Sequence, residues 1–110
     1  MRRRAERMDL STFPGGELVS KGLADLKRGE LTQEALLVLV ASPRLKQLGF
    51  SVPEPADAPA IPEHALYEAI ERVKPLGAHS AYNALIRRIV SFANAYSQAR
   101  RRAINTRDPS

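Results

Sequence analysis

The fold is decided by TQEALLVLVA, residues 32–41, because this stretch contains the longest unbroken apolar run of the chain. Every residue of Ala35–Ala41 is apolar, so a helix formed here has no side that favours contact with water. A short buried strand at Val38–Val40 also fits the composition. Thr32 supplies an N-cap oxygen, however, and Glu34 lies near the positive end of the helix dipole. We therefore predict a helix at the centre of the fold.

Glycine and proline residues divide the remaining sequence into further helical segments. A Pro-Gly-Gly turn at 14–16 precedes apolar residues at helical spacing, and the Ser-Pro pair at 42–43 is a natural helix start. Pro62 begins another helix in the same way, and Pro75 terminates it. The helices predicted around the central one cover residues 17–29, 42–49, 62–75 and about 25 residues that start near His79 or Ser80.

The last of these helices has the clearest apolar pattern in the chain. Its apolar residues are spaced alternately by three and four positions, which produces one continuous stripe. The stripe consists of Tyr82, Leu85, Ile89, Phe92, Tyr96, Ala99 and Ala103. Because two Tyr and one Phe are bulky for a two-stranded coiled coil, the pattern favours packing inside the same chain. A homodimer through residues 85–103 is the alternative.

Together these segments predict an all-α fold, a compact bundle of four to five helices with a long C-terminal helix. Ala and Leu dominate the apolar residues and aromatic residues are few, which also suits helices. We expect a single helical domain at residues 9–104, with a Pro-rich loop at 51–62. Residues 1–8 are expected to be a basic extension, either disordered or the product of a start upstream of Met8, and residues 105–110 a C-terminal tail.

The composition bears on the cellular environment. The chain has no cysteine, so disulfides and thiolate metal sites are excluded. The basic residues 2–4 are not followed by the apolar segment of a secretory signal peptide. The run Ala35–Ala41 is far shorter than the roughly 20 residues that a membrane-spanning helix needs. We expect a cytoplasmic protein without a membrane partner.

Positive charge is concentrated at the C-terminal end of a chain whose net charge is +5. Between Glu71 and Asp108 there are eight Lys and Arg residues and no acidic residue. Such a segment either contacts an anionic partner or pairs with the more acidic residues 9–71 of the same fold. Arginine suits phosphate because its planar group donates two parallel hydrogen bonds. The candidates for contacting a nucleic-acid backbone or an acidic protein are Arg87, Arg88, Arg100, Arg101 and Arg102.

A polar strip begins at the start of the last helix. It contains, at intervals of four, four, four and three residues, His79, Asn83, Arg87, Ser91 and Asn94. The free N–H groups of a helix N-terminus, with nearby hydroxyl, imidazole and guanidinium groups, can hold a phosphate or carboxylate. The strip also fits a solvent-facing helix side on which Ser80 or His79 is only the N-cap. The polar site predicted here comprises His79, Ser80, Asn83 and Arg87.

Part of the chain resembles a helix-turn-helix DNA-binding unit. The resemblance is carried by Leu31–Leu36, by Ala41-Ser42 at the turn, and by Arg44, Lys46 and Gln47 after it. In helix-turn-helix proteins the second helix enters the major groove, so the resemblance implies that these last residues contact DNA. The sequence departs from the family pattern at the apolar residues 37–40. It also leaves only about six residues for the second helix between Pro43 and Gly49.

No motif in the sequence identifies an enzyme or a cofactor. His64, Glu68 and Glu71 share one helix face, but they make an incomplete metal shell, so a solvated surface is the better interpretation. Nucleophile elbows, phosphate-binding loops and zinc-protease motifs do not occur in the sequence. We expect a non-enzymatic module that contacts an anionic partner through its basic C-terminal helix, without a cofactor or metal. The alternatives are a self-associating structural protein, a helix-turn-helix protein, and an enzyme that uses His79, Asn83 and Arg87.

Overall fold

The computed structural model describes residues 10–107, with side chains described from 10 to 103. Its elements, in order, are a 3-10 turn at Leu10–Thr12, α1 (Gly16–Lys27), α2 (Gln33–Val40), α3 (Ser42–Gln47), α4 (Pro62–Val73) and α5 (Ala78–Arg107). No strand occurs between residues 10 and 107. The predicted all-α bundle of four to five helices with a long C-terminal helix is therefore confirmed. The predictions for residues 1–8 lie outside the described residues.

Helix α2 is the central helix, as its apolar sequence predicts. Thr32 caps its first turn, because the Thr32 Oγ1 accepts a hydrogen bond from the Ala35 N–H at 3.1 Å. Residues 35–39 are all buried, and Leu37 and Val38 have no exposed surface. The helix contacts α1, α3, α4 and α5. An all-round apolar helix is stable here because neighbouring helices cover its sides.

Helix α1 approaches α2 closely at Gly22. A Cβ atom on Gly22 would lie 2.4 Å from the Glu34 carbonyl oxygen and 2.4 Å from the Val38 Cγ2. Both distances are well inside van der Waals contact, so only glycine fits while the two helices keep this separation. Gly22 therefore sets the distance between α1 and α2.

A buried carboxylate connects the same two helices. The Asp25 side chain on α1 is only 1% exposed, and Lys21 Nζ lies 2.7 Å from its Oδ2. Thr32 Oγ1 donates a hydrogen bond of 2.6 Å to the same oxygen, and Arg28 pairs with Oδ1. Because a charge removed from water requires partners, these three donors allow Asp25 to remain ionised. The Thr32 hydroxyl thus joins Asp25 to the cap of α2.

These contacts change the acidity of the pair. The pKa of Asp25 is held below its ordinary value, mainly by the hydrogen bond from Lys21 and next by the one from Thr32. The pKa of Lys21 is raised, mainly by its hydrogen bond to Asp25. Both directions favour the charged forms in the folded state.

An aromatic cluster connects α5 to the segment before α1 and to the segment after α3. It consists of Phe13, Phe50, Phe92 and Tyr96, with ring centroids 4.8 to 5.9 Å apart in the contacting pairs. Phe92 has no exposed surface. Further along, Tyr67 of α4 contacts Tyr82 of α5 at 5.5 Å between centroids. Aromatic packing therefore determines which side of α5 faces the core.

The segment between α3 and α4 is non-helical, as its three prolines, Pro53, Pro55 and Pro59, predict. It does not simply extend into solvent, since Val52 and Ala58 pack against the core.

Helix α5 has 30 residues, more than the roughly 25 that its pattern predicts. It begins at Ala78 and continues past residue 104. Among the described residues no helix is long and apolar enough to cross a membrane.

We expect Gly22→Ala to destabilise the fold by about 1–3 kcal/mol, because the added methyl group forces α1 and α2 apart. A Gly77→Ala variant is the matched control. A Cβ atom at Gly77 meets no heavy atom within 4 Å, so we expect a change below about 1 kcal/mol there. Urea unfolding followed by circular dichroism measures both. Equal effects in the two variants would contradict the assigned role of Gly22.

We also expect Asp25→Asn to lower the melting temperature at neutral pH, since Lys21 and Arg28 lose a buried anionic partner. The folded-state pKa of Asp25 lies below the unfolded value, so its contribution is complete above about pH 5 and is lost as the pH falls through the folded-state pKa. The difference between wild type and variant should therefore shrink in acid. Melting curves across this range test this. Glu30→Gln, at an exposed pair, should change little at any pH.

Candidate anion-binding interface

Packing of the apolar face of α5 determines which residues of this helix are exposed to solvent. Ile89, Phe92 and Ala93 are buried, whereas Arg87, Val90 and the other residues half a turn away are exposed. The apolar stripe predicted from the sequence thus packs inside the same chain through the region of Ile89 and Phe92. Since this segment has no acidic residue, its outward positions are either basic or uncharged.

Arg88 is one of two predicted arginines that contact another part of the same chain. It forms an ion pair with Glu17 of α1, and the two side chains are 48% and 58% exposed. The two helices meet closely at this point, since a Cβ atom on Gly15 would lie 2.6 Å from the Arg88 carbonyl oxygen. Gly15 also has a φ of 75°, which glycine adopts without strain. The charge of Arg88 is therefore partly neutralised within the chain.

Arg100 is the second of the predicted arginines that contact another part of the same chain. Its Nη1 donates a hydrogen bond of 2.7 Å to the Leu48 carbonyl oxygen at the C-terminal end of α3. Carbonyl groups at a helix C-terminus have no partner within the helix and carry partial negative charge, so a guanidinium group is a suitable donor. The side chain is half-buried against this site. Arg100 thus attaches α5 to α3.

The remaining three predicted arginines, Arg87, Arg101 and Arg102, are exposed and have no acidic partner among residues 10–103. At about 100° per residue, all three project within roughly 100° of arc on the helix. Arg87 and Arg101 are separated by about 21 Å along the axis, at about 1.5 Å per residue. The Arg101 Nη2 makes one long hydrogen bond, 3.5 Å, to the Ser97 hydroxyl. We call these three residues the arginine face.

The surface between the two ends of the arginine face is polar and uncharged. Asn94, Gln98 and Ser91 are exposed there, and Val90 is the exposed large apolar residue of the described part of α5. These side chains are shorter than arginine, so they do not prevent a partner from approaching the guanidinium groups. The interface is therefore a straight, convex, cationic surface.

The predicted polar site at the start of α5 is brought together only in part. His79 Nε2 and Asn83 Nδ2 lie 3.2 Å apart, one turn from each other. His79 and Ser80 are exposed, and α5 already begins at Ala78, so neither residue is the N-cap that the sequence suggested. A cavity of about 780 Å³ lies elsewhere, between α1, residues 49–53 and Tyr96, and none of the four predicted residues lines it. The strip has the geometry of a solvent-facing helix side.

The structure also shows the regions considered for a helix-turn-helix unit and for a metal site. The helix α3 that follows the helix-turn-helix-like turn has six residues, Ser42–Gln47, with Arg44 and Lys46 exposed. So short a helix does not favour insertion into a groove. Among the described residues there is no group of three or more His, Asp and Glu side chains that could hold a metal ion.

Two residues that position the interface were not identified from the sequence. Leu48 offers only its carbonyl oxygen, which no side-chain pattern reveals. Glu17 lies in the first turn of α1, where an acidic residue favours the helix dipole, and it also pairs with a residue 71 positions later. Long-range partners of this kind depend on helix packing and leave no local signal.

We expect Arg100→Met to destabilise the fold by about 1–3 kcal/mol, because the Leu48 carbonyl group loses a charged donor. Methionine retains much of the aliphatic length, so the loss reports mainly on the hydrogen bond. Arg102→Met is the matched control, and an exposed side chain without a partner should change stability by less than about 0.5 kcal/mol. Urea unfolding compares the two. An unchanged midpoint for Arg100→Met would refute its structural role.

The comparisons with known proteins give no independent indication of function. No protein-family model matches this chain. No curated protein matches it in sequence, and no solved structure matches it in fold. A functional interpretation therefore depends on the charge and geometry of α5.

Proposed function

We propose that this protein is a non-enzymatic binding module whose arginine face on α5 contacts the phosphate backbone of a nucleic acid. The observation that carries the proposal is that Arg87, Arg101 and Arg102 are exposed on a helix segment with no acidic residue and have no acidic partner among the described residues. Phosphate neutralises such a surface through charge-assisted hydrogen bonds that arginine donates in pairs.

Fold stability does not account for these charges. Internal pairing with the acidic part of the chain was the other interpretation of the charge segregation, and in the described part of the chain α5 makes one such ion pair, Arg88 with Glu17. An exposed pair of this kind contributes about 0–1 kcal/mol. The arginine face makes no ion pair of its own. Substitutions there should therefore leave the fold intact, which makes binding a clean readout.

An acidic protein is a less suitable partner for this surface. Protein interfaces usually contain a central apolar or aromatic anchor surrounded by polar residues. Among the described side chains, the outward side of α5 offers only Val90 in this role, because Ile89, Phe92 and Tyr96 pack into the core. The same packing uses most of the apolar stripe that self-association through residues 85–103 would need. Repeated cationic groups separated by short polar side chains suit a phosphate backbone better.

The proposal predicts that changing Arg87, Arg101 and Arg102 together to Gln abolishes most nucleic-acid binding. The matched control changes Lys27, Arg44 and Lys46 to Gln, which removes the same charge from exposed positions outside α5. Fluorescence anisotropy with labelled duplex DNA measures affinity as a function of salt. Each phosphate contact contributes a slope of about 0.9 in log–log form, so the α5 variant should lose about 2 to 3 from the slope.

The control variant has the same net charge as the α5 variant. If the site is on α5, the control should still retain most of the wild-type affinity. Equal loss in both variants would mean that binding is not specific to α5, either because it follows overall charge or because Arg44 and Lys46 contact DNA as the helix-turn-helix resemblance implies. No binding to any nucleic acid at low salt, by protein whose helical circular dichroism is intact, would overturn the proposed function. Sedimentation of the wild-type protein as a dimer that the α5 variant does not alter would then favour self-association.

A further inference from the structure

We infer that the partner is a double-stranded nucleic acid, bridged by α5 so that Arg87 contacts one backbone and Arg101 with Arg102 contacts the other. This inference rests on the proposed function and adds to it the class of nucleic acid.

The aromatic residues are already engaged within the fold. Proteins that bind single strands stack successive bases on exposed aromatic rings. The chain has three Phe and three Tyr residues, and every one of these rings contacts another. None lies on the arginine face. Bases of a single strand bound along α5 would therefore have no ring to stack on.

The surface has the wrong shape for a single strand. Single-stranded nucleic acid usually binds in a groove that follows its backbone, whereas the arginine face is on the convex side of one helix. Two rings, those of Phe50 and Tyr96, line the cavity between α1, residues 49–53 and Tyr96. Lys27 also lines this cavity. Binding of a single strand would favour that cavity, and Lys27 reports on it.

The spacing of the arginines matches two backbones better than one. The two ends of the arginine face are about 21 Å apart along a rigid helix of about 10–12 Å diameter. The major groove of B-form DNA is about 12 Å wide, so a 21 Å span laid across it extends beyond both edges and places one end of the arginine face over each backbone. A duplex holds these phosphates at a fixed separation, whereas a single strand must be ordered before it satisfies both ends, and that ordering reduces its affinity.

The test measures anisotropy of labelled 20-base-pair duplex DNA, the corresponding duplex RNA, both single strands and polyglutamate, all with the full chain. We expect at least one duplex to bind about tenfold or more tightly than its single strands, in keeping with the lower ordering cost of a duplex. Comparison of the two duplexes identifies which of them is the partner. The variants are Arg87→Gln, the pair Arg101→Gln with Arg102→Gln, and the triple control at Lys27, Arg44 and Lys46.

If α5 bridges two backbones, the Arg87 variant and the Arg101–Arg102 variant each weaken duplex binding, and each lowers the salt slope. The control at Lys27, Arg44 and Lys46 leaves the duplex affinity and the salt slope unchanged. Single strands that bind as tightly as duplexes, or a loss caused by the control rather than by α5, would overturn this inference while nucleic-acid binding itself stands. An effect from only one end of the arginine face would refute the bridging geometry. Binding of polyglutamate alone, or of no probe, would overturn the proposed function as well.

Discussion

The burial of α2 is the constraint on which the rest of the structure depends. A helix with apolar side chains all round is stable only when other helices surround it, and α1, α3, α4 and α5 provide this cover. Gly22 lets α1 approach α2 closely, while Asp25 joins α1 to the Thr32 cap. The buried carboxylate is tolerated because Lys21, Arg28 and Thr32 satisfy it. Close packing and one satisfied charge therefore define how the first two helices meet.

Helix α5 combines a structural face with a cationic one. Phe92 and Tyr96 join Phe13 and Phe50 in the aromatic cluster, which prevents the helix from rotating about its axis. Because a helix turns about 100° per residue, fixing one side also fixes the directions of the others. The rigid presentation of the arginine face follows from packing on the opposite side. A preformed surface loses little conformational entropy when it binds, apart from that of the arginine side chains themselves.

The arginines of α5 have the same chemistry but different surroundings. Arg88 and Arg100 hold the helix against α1 and α3, whereas the arginine face is turned to solvent. The guanidinium group suits both roles, since it donates several hydrogen bonds in one plane and keeps its charge when partly buried. Counting basic residues along the chain therefore overestimates the surface available to a partner. The positive region is narrower than its sequence suggests, and it is oriented in one direction.

The sequence by itself determined the helices, the central position of α2 and the inward side of α5. These features follow from local spacing and capping, because apolar residues at helical intervals must be covered and Thr32 satisfies the first turn of α2. The sequence does not determine the residue that begins α5, since Gly77, Ala78, His79 and Ser80 offer several starts. Only the tertiary structure decided which charges remain free. Arg88 meets Glu17 across 71 positions and Arg100 meets Leu48 across 52, and contacts so distant in sequence exist only once the helices have packed.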